Sequence, residues 1–117
     1  MLTLPQIDSL ERRPDGLYLS FTLPGHLEYF DGHFPQLALL PGVVQIGWAV
    51  ELARSHLVLE SAILDRFRAL STVKFMRVLR PGAAVRLRLR ADAADRELEF
   101  EYRDGGVTCS TGRVLFH

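Results

Sequence analysis

The stretch Pro41-Gly42-Val43-Val44-Gln45-Ile46-Gly47-Trp48-Ala49-Val50-Glu51-Leu52-Ala53-Arg54-Ser55-His56-Leu57-Val58-Leu59 decides the architecture. It reads as a helix. Pro41 suits the first turn, where its missing N–H would have no partner anyway. Apolar residues surround most of the run through Ala53, so the helix is expected to be buried and not laid on the surface. Polar residues gather after Glu51, where the helix should emerge. A lone helix that is apolar nearly all round needs a sheet curved about it. One sheet of about five strands cannot cover every side, so a second copy of the chain is the expected partner.

The flanks supply the sheet. Leu17, Leu19, Phe21 and Leu23 alternate with more polar residues, the period of a half-buried strand, and Pro24-Gly25 ends it. Beyond the helix, Phe67 to Leu79 is rich in Val, Phe and Leu and closes on the turn Arg80-Pro81-Gly82. Val85, Leu87 and Leu89 alternate with Arg86, Arg88 and Arg90. Leu98, Phe100 and Tyr102 alternate with Glu97, Glu99, Glu101 and Arg103. These two strands are expected side by side, with their Arg and Glu rows as cross-strand pairs on a solvated face. Asp104-Gly105-Gly106 is a hairpin turn, and Val107 to Phe116 is the last strand. Residues 1–15 read as an entry segment punctuated by Pro5 and Pro14.

Composition narrows the classes. A chain of 117 residues with 48% apolar and 24% charged residues is expected to form one domain spanning 1–117. Fourteen basic and fourteen acidic residues cancel, which gives no electrostatic case for nucleic acid or an anionic membrane. Cys109 is the only cysteine, so no internal disulfide can form, and no metal-type Cys/His spacing exists. It reads as a small packing residue within a strand. The first residues, MLTLPQIDSLERRPDG, lack a basic start and a long apolar run, and no apolar stretch reaches the ~20 residues of a membrane span. A reducing, cytoplasmic setting without metal or cofactor is the expectation.

Residues 24–42 form a loop rich in Pro, Gly, His and aromatics, and loops of that length in small domains are often functional. Within it, His33-Phe34-Pro35-Gln36-Leu37-Ala38-Leu39-Leu40-Pro41-Gly42-Val43-Val44 resembles the signature of the 3-hydroxyacyl-acyl-carrier-protein dehydratases, His-Phe-Pro-Gly-x-Pro-x-x-Pro-Gly-Val. Downstream, Val73-Lys74-Phe75-Met76-Arg77-Val78-Leu79-Arg80-Pro81-Gly82 is similar to the family's strand-and-turn segment. The variant Leu-Pro-Gly-Val-Val-Gln, with Trp48 close behind, is most similar to the branch of aryl-polyene-type pathways. The resemblance runs from about residue 16 onward. It implies a hot-dog fold, a curved antiparallel sheet wrapped around one long central helix. It also implies a homodimer or higher even oligomer, and an acyl thioester substrate on an acyl carrier protein or coenzyme A. The site residues would be His33 as catalytic base, with Phe34, Gly42, Val43 and Gly47 at the substrate.

Dehydrating a 3-hydroxyacyl thioester removes a proton from C2 and hydroxide from C3. Histidine is a base suited to neutral pH. The Gly42 N–H, at a helix N-terminus, suits the thioester carbonyl where negative charge develops. The bland readings are a structural loop histidine at 33 and a glycine at 42 that only eases the turn. His26 and His56 read as surface groups. The departure from the family lies on the helix. Fourteen residues after the His, where the family carries an acidic residue, stands Gly47. Glu51 follows one turn later on the same face, about 6 Å along the axis, and is the candidate acid; its bland reading is a partly exposed helix carboxylate. Gln36 and Ala38 also replace the family's Gly and second Pro. Three functions therefore stand open: a dehydratase of the fatty-acid-biosynthetic type, an impaired acyl-binding or partner subunit, and an acyl thioesterase, since a fold does not set its chemistry.

Overall fold

A computed structural model of the chain describes residues 4–24, 39–57 and 64–117. Its elements are β1 (Ser9–Arg13), β2 (Gly16–Thr22), α1 (Gly42–His56), β3 (Phe67–Phe75), β4 (Ala84–Asp92), β5 (Glu97–Asp104) and β6 (Val107–Phe116). The strands form one antiparallel sheet in the order β1-β2-β4-β5-β6-β3, and α1 packs on one face of it. This is the hot-dog arrangement, a curved sheet holding a single long helix.

The alternating strands behave as their period requires. Leu17, Leu19, Phe21, Val85, Leu87, Leu89, Leu98, Phe100 and Tyr102 all point into the core. From the helix they meet Val44, Trp48, Ala49, Leu52 and Ala53. The Phe21 and Trp48 rings meet edge to face at 6.0 Å. On the outer face Arg88 pairs with Glu99 at 2.7 Å and Glu101 at 3.6 Å, and Arg113 reaches Glu97 at 3.3 Å. Gly105 and Gly106 both take positive φ (56° and 86°), the conformation a two-residue hairpin loop needs between twisted strands.

Four features differ from the sequence reading. The entry segment contains a strand, β1, whose five residues are all exposed. Its apolar period is missing because it is an edge. It is held by its ladder to β2 and by Arg12 donating to the His56 carbonyl at 2.9 Å, and its charges guard that edge against further pairing. Pro41 serves as the helix N-cap and not as a first-turn residue, and the helix ends at His56, with the Leu57 N–H donating to the Ala53 carbonyl. The strand expected over 67–79 stops at Phe75, where the Met76 and Arg77 N–H groups both turn to the Cys109 carbonyl. Finally, β3 carries a bulge against β6 between Ser71 and Lys74, with Thr72 at φ 51°. Opposite it, a Cβ on Gly112 would stand 2.7 Å from the Phe100 ring and 3.0 Å from Val73. A glycine in a strand interior here marks a close approach by neighbouring side chains.

One face of α1 stays only partly covered. Ile46, Gly47, Val50, Glu51 and Arg54 are half-buried, and Val43 is 77% exposed. The near-complete burial expected of this helix is therefore not reached among the described residues. The sheet also shows Phe67, Leu70 and Phe75 to solvent along its edge strand β3.

Candidate active site at the helix N-terminus

Where Leu39-Leu40-Pro41 enters α1, the backbone leaves a set of N–H groups that no helical carbonyl can take. Val44 and Gln45 both donate to the Pro41 carbonyl at 3.1 Å, closing the first turn. Among the described residues the Gly42 N–H has no such acceptor. It sits at the positive end of the helix dipole, a place suited to developing negative charge.

Gly42 borders an open cavity of about 300 Å³ lined by Leu39, Leu40, Gly42, Gln45 and the run Phe75 to Val78. Its size is at the lower end of small-molecule pockets, and its walls are largely apolar, as an acyl chain requires. The Phe75 ring forms a wall that lies close against Gly42. A Cβ at position 42 would lie 2.6 Å from the tip of that ring. The glycine thus lets a ring approach the backbone, where the sequence suggested a ligand or a turn. A depression of similar volume on the outer face is walled by Arg88, Glu99, Glu101 and Arg113, whose charges already pair with one another. It offers little to an apolar chain.

The polar anchor of this corner is Gln45. It is 3% exposed on the helix face that packs against the sheet. Its Nε2 donates to the Leu40 carbonyl at 3.0 Å, and its Oε1 accepts from Ser110 Oγ at 2.7 Å. The Tyr102 hydroxyl donates to the Gln45 main-chain carbonyl at 2.6 Å. Burial pushes the Tyr102 phenol well above its ordinary range, so it stays a neutral donor. Burial likewise raises the Cys109 thiol, which suits a packing residue and not a thiolate nucleophile.

Of the residues singled out from sequence, His33 and Phe34 lie outside the described residues, as do His26, Gln36 and Ala38. Gly42 lines the cavity; Val43, Gly47 and Glu51 do not. Gly47 and Glu51 share the half-covered helix face, as their spacing predicts. The Glu51 side chain is 44% exposed, and its Oε1 accepts from Arg54 at 2.6 Å. Arg54 in turn donates to the Leu64 carbonyl at 2.7 Å. Sequence reasoning missed Gln45, Ser110, Tyr102 and Phe75 as parts of this corner. The available signal was Gln45 itself, a polar side chain inside an otherwise apolar run.

The ApeI-like family, described as ApeI dehydratase, matches residues 9–113, which is most of the chain. The chain belongs to the ApeI-like dehydratase family. Among solved structures, the dehydratase heterocomplex ApeI:P from Xenorhabdus doucetiae is 30% identical, with 95% of this chain and 96% of that one covered at a TM-score of 0.82. An uncharacterized protein from Erwinia carotovora subsp. atroseptica is 26% identical, with 100% and 97% covered at 0.77. The dehydratase domain of the polyketide PpsC from Mycobacterium tuberculosis is 19% identical, with 98% of this chain and 45% of that one covered at 0.64, and shows the shared fold alone. No curated protein matches. The aryl-polyene-type branch implied by the Leu-Pro-Gly-Val-Val-Gln segment is thus the one that most of the chain matches.

Proposed function

We propose that this dehydratase-family chain acts on a 3-hydroxyacyl thioester, carried by an acyl carrier protein or coenzyme A, and yields the 2-enoyl thioester and water. The observation that carries the reading is the position of Gly42. It is the first residue of α1 and borders an apolar cavity of about 300 Å³. His33 takes the C2 proton, a task that histidine suits near neutrality. The charge that moves to the thioester oxygen is met by the Gly42 N–H. As the C3–O bond breaks, an acid protonates the departing hydroxide. The acyl chain lies along Leu39, Leu40, Phe75 and Val78.

The acid sets the assembly. Gly47 has no proton to give, and a second copy of this chain would bring the same glycine. Two paired copies answer the exposed helix face, as the sequence suggested, yet they leave the acid missing. We therefore assign the acid to a partner subunit of different sequence, with the carboxylate that the family pattern has at the Gly47 position. The structurally similar ApeI:P assembly is a dehydratase heterocomplex, which supports a mixed pair. A second reading keeps Glu51 as the acid, since it shares a face with Gly47. Its carboxylate would first have to leave Arg54.

Product analysis tests both readings. A 3-hydroxyacyl thioester is incubated with the chain alone and with a candidate partner. An enoyl product supports dehydration, and free acid would point to a thioesterase. An unchanged substrate in both arms would leave only an acyl-binding role. Gly47→Glu is expected to raise turnover of the chain alone by about 10²-fold or more, the usual contribution of a positioned acid. Glu51→Gln is expected to change turnover by less than about 3-fold, and a loss near 10²-fold would return the acid to Glu51.

A further inference from the structure

An amide buried among apolar side chains is stable only if both its ends are bonded. Gln45 meets that condition by linking two distant parts of the fold. One end receives Ser110 of β6, and the other donates to Leu40, two residues before Gly42. The Leu40 N–H is held as well, donating to the Leu79 carbonyl at 2.7 Å.

These bonds act on two consecutive peptide planes. Gln45 Nε2 sets the carbonyl of the Leu40–Pro41 peptide. The Val44 and Gln45 N–H groups set the carbonyl of the Pro41–Gly42 peptide. The second plane also contains the Gly42 N–H, which in a trans peptide points opposite to that carbonyl. Between the planes stands Pro41, with its ring-restricted φ at −60° and ψ at 148°. With both planes pinned and proline between them, the Gly42 N–H has little freedom to swing.

We propose that Gln45 is a positioning residue: its side chain ties the Leu40-Pro41 corner to strand β6 and so fixes the direction of the Gly42 N–H at the cavity wall. The inference rests on the proposed use of that N–H as the donor to the thioester carbonyl. A donor of this kind contributes most when it needs no reorganisation as charge develops. Leucine at 45 would fill the same space, but it would leave the Leu40 carbonyl and Ser110 Oγ without this partner.

The test uses Gln45→Leu and Ser110→Ala in the full chain, in whichever assembly gives wild-type turnover. Thermal melts confirm that each variant is folded. For Gln45→Leu, kcat is expected to fall about 10–100-fold while KM stays within about 3-fold, because a misaimed donor acts on the transition state. Ser110→Ala loosens the same clamp from its far end, so a smaller loss with the same kcat–KM split is expected. In both variants the Gly42 amide cross-peak in 15N–1H spectra should shift and its hydrogen exchange should quicken. A folded Gln45→Leu that keeps kcat within about 2-fold overturns the proposal, as does a fall in kcat with an unmoved Gly42 amide. If Gln45→Leu does not fold, Ser110→Ala decides by the same readouts. If the wild type turns nothing over, the dehydratase reading fails. The Gly42 amide then decides alone: movement in the variants supports the clamp, and its absence refutes it.

Discussion

His33 and Gly42 divide the chemistry between a side chain that carries a proton and a main-chain group that carries none. The backbone donor follows from the start of a helix and needs no particular side chain at 42. Glycine there does something different, giving room to the Phe75 ring that lies against its α-carbon. The base has no such substitute. His33→Ala should therefore lower dehydratase turnover by about 10²–10⁴-fold, the range of a general base, with the melting temperature unchanged. Turnover within a few-fold of wild type in a steady-state assay would remove His33 from the mechanism. Glycine at 47 has a cost too, about 1 kcal/mol relative to alanine within a helix. Its place on the half-covered face of α1 fits a position where another subunit approaches.

At the scale of elements, the junction of β3 with β6 is tightly constrained. Gly112 lies beneath both the Phe100 ring and Val73, and β3, which carries Val73, bulges opposite it. A methyl group here has nowhere to go without moving Phe100, which is fully buried. Gly112→Ala is expected to destabilise the fold by about 1–3 kcal/mol, the usual effect of overpacking. A urea titration would read this as a lower midpoint with an unchanged slope. None of this was legible in the sequence, where Gly112 reads only as one more residue of the last strand. The two charged strands were legible, because period-two alternation is local. Even their pairing followed, with Arg88 opposite Glu101 and Arg90 opposite Glu99. β1 was not legible, since an edge strand of charged residues lacks the alternation that marks a buried one.

The whole molecule adds two expectations. Tyr102 is buried, and its folded pKa stands above its unfolded value near 10. The folded state therefore keeps the proton more tightly than the unfolded state. The related stability is complete below about pH 10 and is lost as pH rises beyond it, by up to about 1.4 kcal/mol per pH unit. Urea midpoints measured from neutral into alkaline pH should show that fall, and Tyr102→Phe should flatten it. A limb equally steep in the variant would assign the loss to other groups. The second expectation concerns assembly. The half-covered Ile46 and Val50 and the exposed Val43, Phe67, Leu70 and Phe75 leave apolar surface open among the described residues. In the absence of a partner subunit, light scattering at micromolar concentration should give twice the 13.2 kDa chain mass. A stable monomer would show that this surface waits for a different chain.

The sequence by itself determined the class of the fold, the single long helix, the alternating strands, the two-glycine hairpin and the family. Each is written in local periodicity, turn chemistry or a short motif, within reach of a few residues. It also marked the departure at Gly47, because a missing carboxylate needs no coordinates to be noticed. Only the tertiary structure decided what Gln45 does, because its side chain joins Leu40, five residues away, to Ser110, 65 residues away. The same holds for Gly42, whose lack of a side chain serves a ring 33 positions later in the chain. Glu51 is the opposite case, its carboxylate held by Arg54 three residues on, a pairing that helix spacing alone allows. A residue type limits the bonds a side chain can form. Which of them form depends on the groups that folding brings within about 3 Å, and sequence spacing does not encode that distance.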